Sequence, residues 1–492
     1  MSTVQEETKG PYQLLPFRFR REKDGTVFLT NDVGEFVTLS SIEFDSFVGH
    51  QLDPKAEVFQ DLAGKHFAAN GDVDLAIELL ATKLRTKKRF LDDFTSLHMV
   101  VPTIACNSQC VYCQVSSRPP DERGYSMSEA TVEKVVDTIF RTRSSSIKIE
   151  FQGGEPLLRF DLVKKVVADA EKANRHADKD LSFVLCSNLT LLSADHLSFL
   201  KDHDVLVSTS LDGPQGLHDA NRLLRDGTGS YEVVARNLDA ARTALGNSRV
   251  SALMTVTANN LFRLPEVVEE YRRRGLASIF IRPLNPYGAA HRHGLARTYT
   301  VEQFVSEYLK ALDAIIAINL SGSYFVEEYA ALLLERILTP FGSGFVDLQS
   351  PSGCAISGVI YNYDGNVYVS DEGRMLAEMG DRRFFMGNVH HDAYEKMFMG
   401  TVVEELVRSS IIETLPGCST CVYCPYCGTD PVRNYSEHGD IVGNRFPSES
   451  CRKNMAIFDQ LFGILRYGDP AVKDVLWSWV TRRPLAKVSL TS

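Results

Sequence analysis

Cys106-Asn-Ser-Gln-Cys110-Val-Tyr112-Cys113 sets three cysteines at C-x3-C-x2-C spacing directly after the apolar run Leu97-His-Met-Val-Val-Pro-Thr-Ile104. The run predicts a strand, and a strand ending in a short cysteine-bearing loop can wrap a small inorganic cofactor. Three thiolates leave one coordination position unfilled, whereas a structural zinc site normally takes a fourth side chain. A [4Fe-4S] cluster held by three cysteines keeps one iron open to a substrate or second cofactor, and its electronics can drive radical chemistry. By itself the spacing fits incidental thiols or part of a zinc site equally well.

Downstream, Ile147-Lys-Ile-Glu-Phe-Gln-Gly153-Gly154-Glu155-Pro156 reads as a buried strand ending in a glycine turn with a carboxylate. Two glycines let backbone approach a ligand closely, and a carboxylate there can accept hydrogen bonds from an ammonium group. The bland alternative is an ordinary strand-to-helix turn. Together, C-x3-C-x2-C with an aromatic before its third cysteine and the following Gly-Gly-Glu-Pro resemble the radical S-adenosylmethionine (SAM) superfamily. The resemblance implies that Cys106, Cys110 and Cys113 hold a [4Fe-4S] cluster, with Tyr112 beside it. SAM would fill the open iron, and Gly153, Gly154, Glu155 and Pro156 would form its amino-group site.

The 492 residues suffice for two or three domains, with 44% apolar residues to fill their cores. A formal charge of -10 argues against a nucleic-acid or anionic-membrane binder, because phosphate contacts need clustered Lys and Arg. No run of about 18 apolar residues and no signal-peptide pattern at the N-terminus is present, which predicts a cytoplasmic protein. All ten cysteines but Cys186 fall in or near grouped motifs, which there points to metal rather than disulfides.

Residues 12 to about 92 read as a small α+β, winged-helix-like domain. It has strands at Phe17-Arg-Phe19-Arg, Thr26–Thr30 and Glu35–Leu39, a capping box at Ser40-Ser-Ile-Glu43, and a helix from Asp72 to the basic Lys87-Lys-Arg89. In peptide-modifying members of the superfamily such a module recognises a leader peptide, with a sheet edge accepting an extra strand; a packing extension of the barrel is the plain alternative. From 97 to about 290, strands at 98–104, 147–152, 182–187, 204–210, 249–255 and 278–282 alternate with helices, one of them capped by Ser126-Met-Ser-Glu129. Six βα units fit the partial (β/α)6 barrel that the resemblance implies, with ligands at the C-terminal strand ends.

Those ends carry polar residues. Ser187 and Asn188 follow the third strand, suited to the ribose or carboxylate of SAM. Val207-Ser-Thr-Ser210-Leu-Asp212-Gly-Pro214, with His218-Asp219 and Arg222, resembles the sulfatase-maturase and peptide-maturase branch, and Ser210 and Arg222 are candidates for the SAM carboxylate. Asp212 before Gly-Pro reads as a turn cap, His218 as a packing residue and Cys186 as core.

Helices over 302–318 and 327–338 lead to Cys354, Gly365, Ser370, Asp371, then Cys418-Ser-Thr-Cys421-Val-Tyr-Cys424-Pro-Tyr-Cys427, and Cys451. C-x2-C-x2-C is an iron-sulfur spacing, too tight for one tetrahedral zinc. The region resembles the SPASM extension. By that resemblance Cys418, Cys421, Cys427 and Cys451 hold one auxiliary [4Fe-4S] cluster. Two ligands of a second are missing, Ser370 and Pro431 standing where cysteines would be. Cys354 and Cys424, with Asp371 or Asp430, are the remaining candidates for a second. Asp371 also matches the proton-accepting Asp of anaerobic sulfatase maturases, and is equally readable as a surface turn.

End to end, the chain resembles the His-Xaa-Ser system radical SAM maturase family, HxsB, through Leu15-Pro-Phe-Arg-Phe, Leu29-Thr-Asn-Asp-Val-Gly-Glu-Phe and the reduced cysteine set. This implies reductive cleavage of SAM to a 5'-deoxyadenosyl radical and hydrogen abstraction from a residue of a ribosomally made peptide (a RiPP). The implied partners are a precursor with His-Xaa-Ser repeats, a second radical SAM maturase, and an electron donor such as flavodoxin or ferredoxin. The alternatives are an anaerobic sulfatase-maturase-like oxidase of a protein target, a non-catalytic iron-sulfur partner of another maturase, and a zinc-stabilised scaffold. The expected divisions are 1–92, the barrel 93–290, a helical bridge 291–350, a SPASM-like domain 351–455 and a helical tail 456–492.

Overall fold

The computed structural model describes residues 10–295 and 298–488. Leu97–Thr103, Ser146–Gly153, Asp180–Cys186, Leu206–Ser210, Val250–Val256 and Ile281–Pro283 are strands that pair in parallel, each with the next in the chain. Helices Glu129–Ile139, Phe160–Ala177, Ala194–Asp202, Tyr231–Leu245 and Leu264–Arg273 lie between them. The α/β partial barrel and its six strands are therefore as the sequence indicates. Strand parity sets the layers: Ile147, Ile149 and Phe151 are fully buried, while Gln152 faces the central cavity and donates to Glu150 Oε1 at 2.9 Å.

Three details differ from expectation. The sixth strand is split: Ser278–Ile279 pairs with Val326–Glu327, and Ile281–Pro283 continues the barrel. The helix at 129 is capped by Ser128, which accepts from Thr131 N, whereas Ser126 Oγ turns back to Thr103 Oγ1 at 3.0 Å. The SPASM-like segment does not stand apart. Gly358–Tyr361 pairs in parallel with Leu97–Thr103, and Asn366–Tyr368 and Phe385–Asn388 extend the same sheet to nine strands.

The N-terminal residues form a three-stranded antiparallel sheet, Phe17–Arg21, Thr26–Asn31 and Phe36–Ser40, followed by helices Ser41–Val48, Glu57–Gly64 and Val73–Lys87. Ser40 and Glu43 form the expected capping box, and Asp72 caps the third helix. Val27, Leu29, Phe44, Phe47, Phe59 and Phe67 make a separate small core. Phe28, of opposite parity, packs instead against Phe462, with ring centroids 5.0 Å apart. Val301–Leu320 and Glu328–Leu338 are the bridging helices, and Glu449–Tyr467 and Pro470–Thr481 pack on them. No helix among the described residues is long and apolar enough to cross a membrane.

Candidate functional site

The two glycines after Phe151 let the cysteine loop lie on the sheet. A Cβ on Gly153 would stand 2.5 Å from Val101 Cγ1 and 2.6 Å from Thr103 O, and one on Gly154 would run into Ile104 C and Ala105 O. Gly153 also holds φ at +116°. The bare backbone instead bonds the loop directly, Gly154 N to Thr103 O at 2.9 Å and Glu155 N to Ala105 O at 2.8 Å. The loop is held on its other side by Arg225 Nε to Cys106 O at 2.6 Å, Val111 N to Asn221 O at 2.9 Å and Ala289 N to Cys113 O at 2.7 Å.

Cys106, Cys110 and Cys113 thereby face one cavity of about 240 Å³, shared with Tyr112, Gly153, Gly154, Ser187, Asn188, Ser210 and Arg222. Among the described residues no three His, Cys, Asp or Glu side chains converge on a single ion; the three thiols line the wall of a volume instead. Burial pushes the Cys106 thiol up, and the Cys110 thiol to about 11 against the pull of Arg222. Buried thiols of this kind become thiolates when a metal takes the proton's place.

Glu155 does not face this cavity. Its carboxylate is fully buried and accepts from Leu157 N at 3.0 Å, Ser187 Oγ at 2.7 Å and Asn188 N at 2.7 Å. It fixes the Ser187-Asn188 turn, while Gly153 and Gly154 line the cavity. Pro156 begins the short 3-10 turn Pro156–Arg159 behind it. Asn188 Nδ2 reaches Asn107 Oδ1 and Ser108 Oγ, each at 3.0 Å, tying the third strand end to the cysteine loop.

Asp212 is more than a turn cap. Its fully buried carboxylate accepts from Tyr112 OH at 2.7 Å, Arg222 Nε at 3.0 Å and Thr255 N at 3.1 Å. Arg222 lies over the Tyr112 ring at 5.2 Å; burial disfavours its charge, and Asp212, Tyr112 and Cys110 together more than offset that and hold the guanidinium above its ordinary pKa. His218 is a packing residue, bonded to Ser230 Oγ at 3.0 Å and pushed down to about 4 by burial. Cys186, read from the sequence as core, lines the cavity, and its thiol donates to Glu150 Oε1 at 3.3 Å. Thr255, Arg282 and Met375 line it as well.

A second cavity, of about 110 Å³, is lined by Cys418, Cys427, Cys451 and the carboxylates of Asp347, Glu372 and Asp430, and it shares Arg282 with the first. Cys421 lies near Cys427 and Cys451, so the four thiols expected to hold an auxiliary cluster are neighbours. Burial pushes Cys421 up, while the Tyr423 N–H and the Arg20 and Arg18 guanidinium groups pull it down. Cys354 and Cys424 lie in different surroundings. Cys354 is set among Asp430, Asp347 and Glu372, and Cys424 beside Arg18, Glu413, Cys418 and Cys427. A second cluster would have to draw on both, and the two share none of these neighbours. Where its missing ligands would stand, Ser370 caps helix Asp371–Glu378 and Pro431 opens helix Pro431–His438, itself capped by Asp430. Asp371 is bound by Arg374 Nε at 2.9 Å; it stands outside the lining of the first cavity, with its charge acting on Glu150 and the cavity-lining Cys186. Burial, and then the neighbouring Asp347 carboxylate, push Asp430 and Glu372 up.

Residues 100–270 match the profile of the Radical SAM superfamily. The chain carries a radical SAM domain. It is 22% identical over 356 residues to the cysteine-type anaerobic sulfatase-maturating enzyme of Clostridium novyi (strain NT), over 69% of this chain and 88% of the relative. Its fold is similar to native anSMEcpe with bound AdoMet, at TM-score 0.63 and 19% identity over 78% of this chain and 99% of that one. It is also similar to Streptococcus suis SuiB bound to precursor peptide SuiA, at TM-score 0.52 and 11% identity over 89% and 99%. A radical SAM protein uses a [4Fe-4S] cluster and SAM. The three thiols around one cavity, with a polar wall opposite, fit that pair, and the further cysteines at the C-terminus fit an auxiliary cluster.

Proposed function

We propose that this radical SAM enzyme modifies a residue of a ribosomally made peptide. The observation that carries the reading is the single cavity in which Cys106, Cys110 and Cys113 face Gly153, Gly154, Ser187, Asn188, Ser210 and Arg222. Cys106, Cys110 and Cys113 would hold the cluster, which when bound and reduced by an external one-electron donor would supply the electron for splitting SAM into methionine and a hydrogen-abstracting 5'-deoxyadenosyl radical. This chain's residues hold the reactants. The Gly153 and Gly154 backbone receives the SAM ammonium group. Ser210 and the Arg222 Nη groups, left free by the Nε bond to Asp212, receive its carboxylate. Asn188 and Ser187 bound the ribose side. The walls of the barrel keep water and competing hydrogen donors from the reacting centre.

In this reading residues 1–92 recognise the leader of the precursor, 93–290 carry the radical chemistry, and 351–455 hold an auxiliary cluster on Cys418, Cys421, Cys427 and Cys451. A precursor with His-Xaa-Ser repeats is the substrate to test. Co-expression with such a precursor should change the peptide's mass, and Cys106→Ala/Cys110→Ala/Cys113→Ala should abolish the change. An unmodified precursor beside an enzyme active in SAM cleavage would remove this substrate. A second reading, oxidation of a side chain in a folded protein, is favoured by the sulfatase-maturating relatives. It requires a proton acceptor at Asp371 that Arg374 now occupies, so Asp371→Asn should leave peptide modification intact and abolish the oxidase activity.

A further inference from the structure

The N-terminal strands are amphipathic in a way that solvent does not explain. Phe17 and Phe19 pack on Phe44, at 6.5 and 4.8 Å between ring centroids, while the alternate residues Arg18 and Arg20 reach the loop that carries the auxiliary cysteines. Arg18 Nε donates to Ser419 O at 2.6 Å, and its side chain is only 12% exposed. Arg20 Nη2 donates to Tyr423 OH at 3.0 Å and to Asp459 Oδ1 at 2.8 Å, with the guanidinium 5.1 Å from the Tyr423 ring centroid. From the next strand, Thr30 Oγ1 donates to Val422 O at 2.8 Å. Returning the contact, Tyr426 OH donates to Gly34 O at 3.0 Å.

The hairpin thus satisfies carbonyls of a loop that forms no regular element between Cys418 and Tyr423, and it fixes two guanidinium groups near Cys421: Arg18, whose Nη1 also pairs with Asp32 at 2.6 Å, and Arg20, whose Nη2 also pairs with Glu22 at 2.9 Å. A four-thiolate cluster carries net negative charge that grows when it takes up an electron. Cations held nearby in a partly dry site therefore favour the reduced form. We propose that the N-terminal hairpin caps the auxiliary cluster, with Arg18 and Arg20 as positioning residues that hold its loop and raise its reduction potential. This rests on Cys418, Cys421, Cys427 and Cys451 holding a [4Fe-4S] cluster. Arg21 supplies an internal control: it lies on the same strand, is 52% exposed and pairs with Asp45 at 2.9 Å, away from the cysteine loop.

The test uses the full chain carrying Cys106→Ala/Cys110→Ala/Cys113→Ala, so that only the auxiliary cluster remains. It is purified without oxygen and titrated with dithionite while the spectrum of the one-electron-reduced cluster is followed. About four irons per chain are expected for one such cluster; an iron-free protein would overturn the cluster assignment itself. With iron present, Arg18→Gln and Arg20→Gln should each shift the potential to more negative values. Arg18→Lys should restore it, and Arg21→Gln should leave it unmoved. Full iron with unshifted potentials in both Gln variants, an equal shift in Arg21→Gln, or equal damage from Arg18→Gln and Arg18→Lys would overturn the cap.

Discussion

Replacing Asp212 by Asn is the most informative single perturbation of the barrel. The carboxylate is fully buried and takes four donors, Tyr112 OH, Asn221 Nδ2, Arg222 Nε and Thr255 N, from three different segments. Asn preserves the shape but turns an NH2 group toward donors and removes the charge that balances Arg222. Breaking a buried pair on one side costs about 3–5 kcal/mol. Arg222 retains 14% side-chain exposure, which places the loss near the lower end, about 3 kcal/mol. At roughly 2–4 °C per kcal/mol for a domain of barrel size, the melting midpoint should fall on the order of 6–12 °C. Circular dichroism melts of the anaerobic protein measure this. SAM cleavage should fall with it, because Arg222 and Tyr112 lose the group that fixes them. In a double-mutant cycle with Arg222→Gln, the combined loss should be smaller than the sum by about 1–3 kcal/mol. A midpoint within about 2 °C of wild type, or strict additivity, would refute the hub.

Other outcomes follow from the same geometry. Glu327 accepts from Ile281 N at 3.2 Å, and burial, opposed by Tyr308 and backbone N–H groups, pushes it from 4.5 up to about 7. The folded chain keeps this proton where the unfolded chain has lost it, so stability should fall as pH rises from 4.5 to 7 and level off above, by on the order of 3 kcal/mol. Glu327→Gln should flatten that slope in denaturant titrations; an unchanged slope would assign it elsewhere. Gly154→Ala should displace the cysteine loop, since its Cβ meets backbone rather than a movable side chain, and iron at Cys106, Cys110 and Cys113 should be lost with the fold retained. Ala at Cys418, Cys421, Cys427 or Cys451 should lower iron from about eight per chain to about four, whereas Cys354→Ala should keep about eight. Iron loss in Cys354→Ala would mean that it is a ligand.

The barrel was legible because its strands are short apolar runs separated by amphipathic helices, and the cluster loop because its thiols are adjacent in sequence. Residues joined only by folding were harder to see. Asp212 sits in a stretch whose Asp-Gly-Pro reads as a turn, and its partners Tyr112 and Thr255 lie far off in the chain. Cys186 looked like core because Phe183 and Leu185 are apolar, yet parity places it on the opposite side from buried Leu185, the side of Glu150 and Gln152. That signal was present in the alternation. Arg18 and Arg20 show in the sequence only as the residues alternating with Phe17 and Phe19, and their contacts with Ser419 and Tyr423 arise from the docking of the hairpin. Glu155 looked like a ligand because it ends a strand at the site; its burial behind Ser187 and Asn188 depends on how two strand ends meet.

The central claim is that Cys106, Cys110 and Cys113 hold a cluster that cleaves SAM, and it is tested most directly by counting iron and 5'-deoxyadenosine in the anaerobic protein after dithionite and SAM are added. The wild type should hold about eight irons and form 5'-deoxyadenosine, and Cys106→Ala/Cys110→Ala/Cys113→Ala should keep about four and form none. An iron-replete wild type that forms no 5'-deoxyadenosine, or a triple variant that still forms it, would contradict the account.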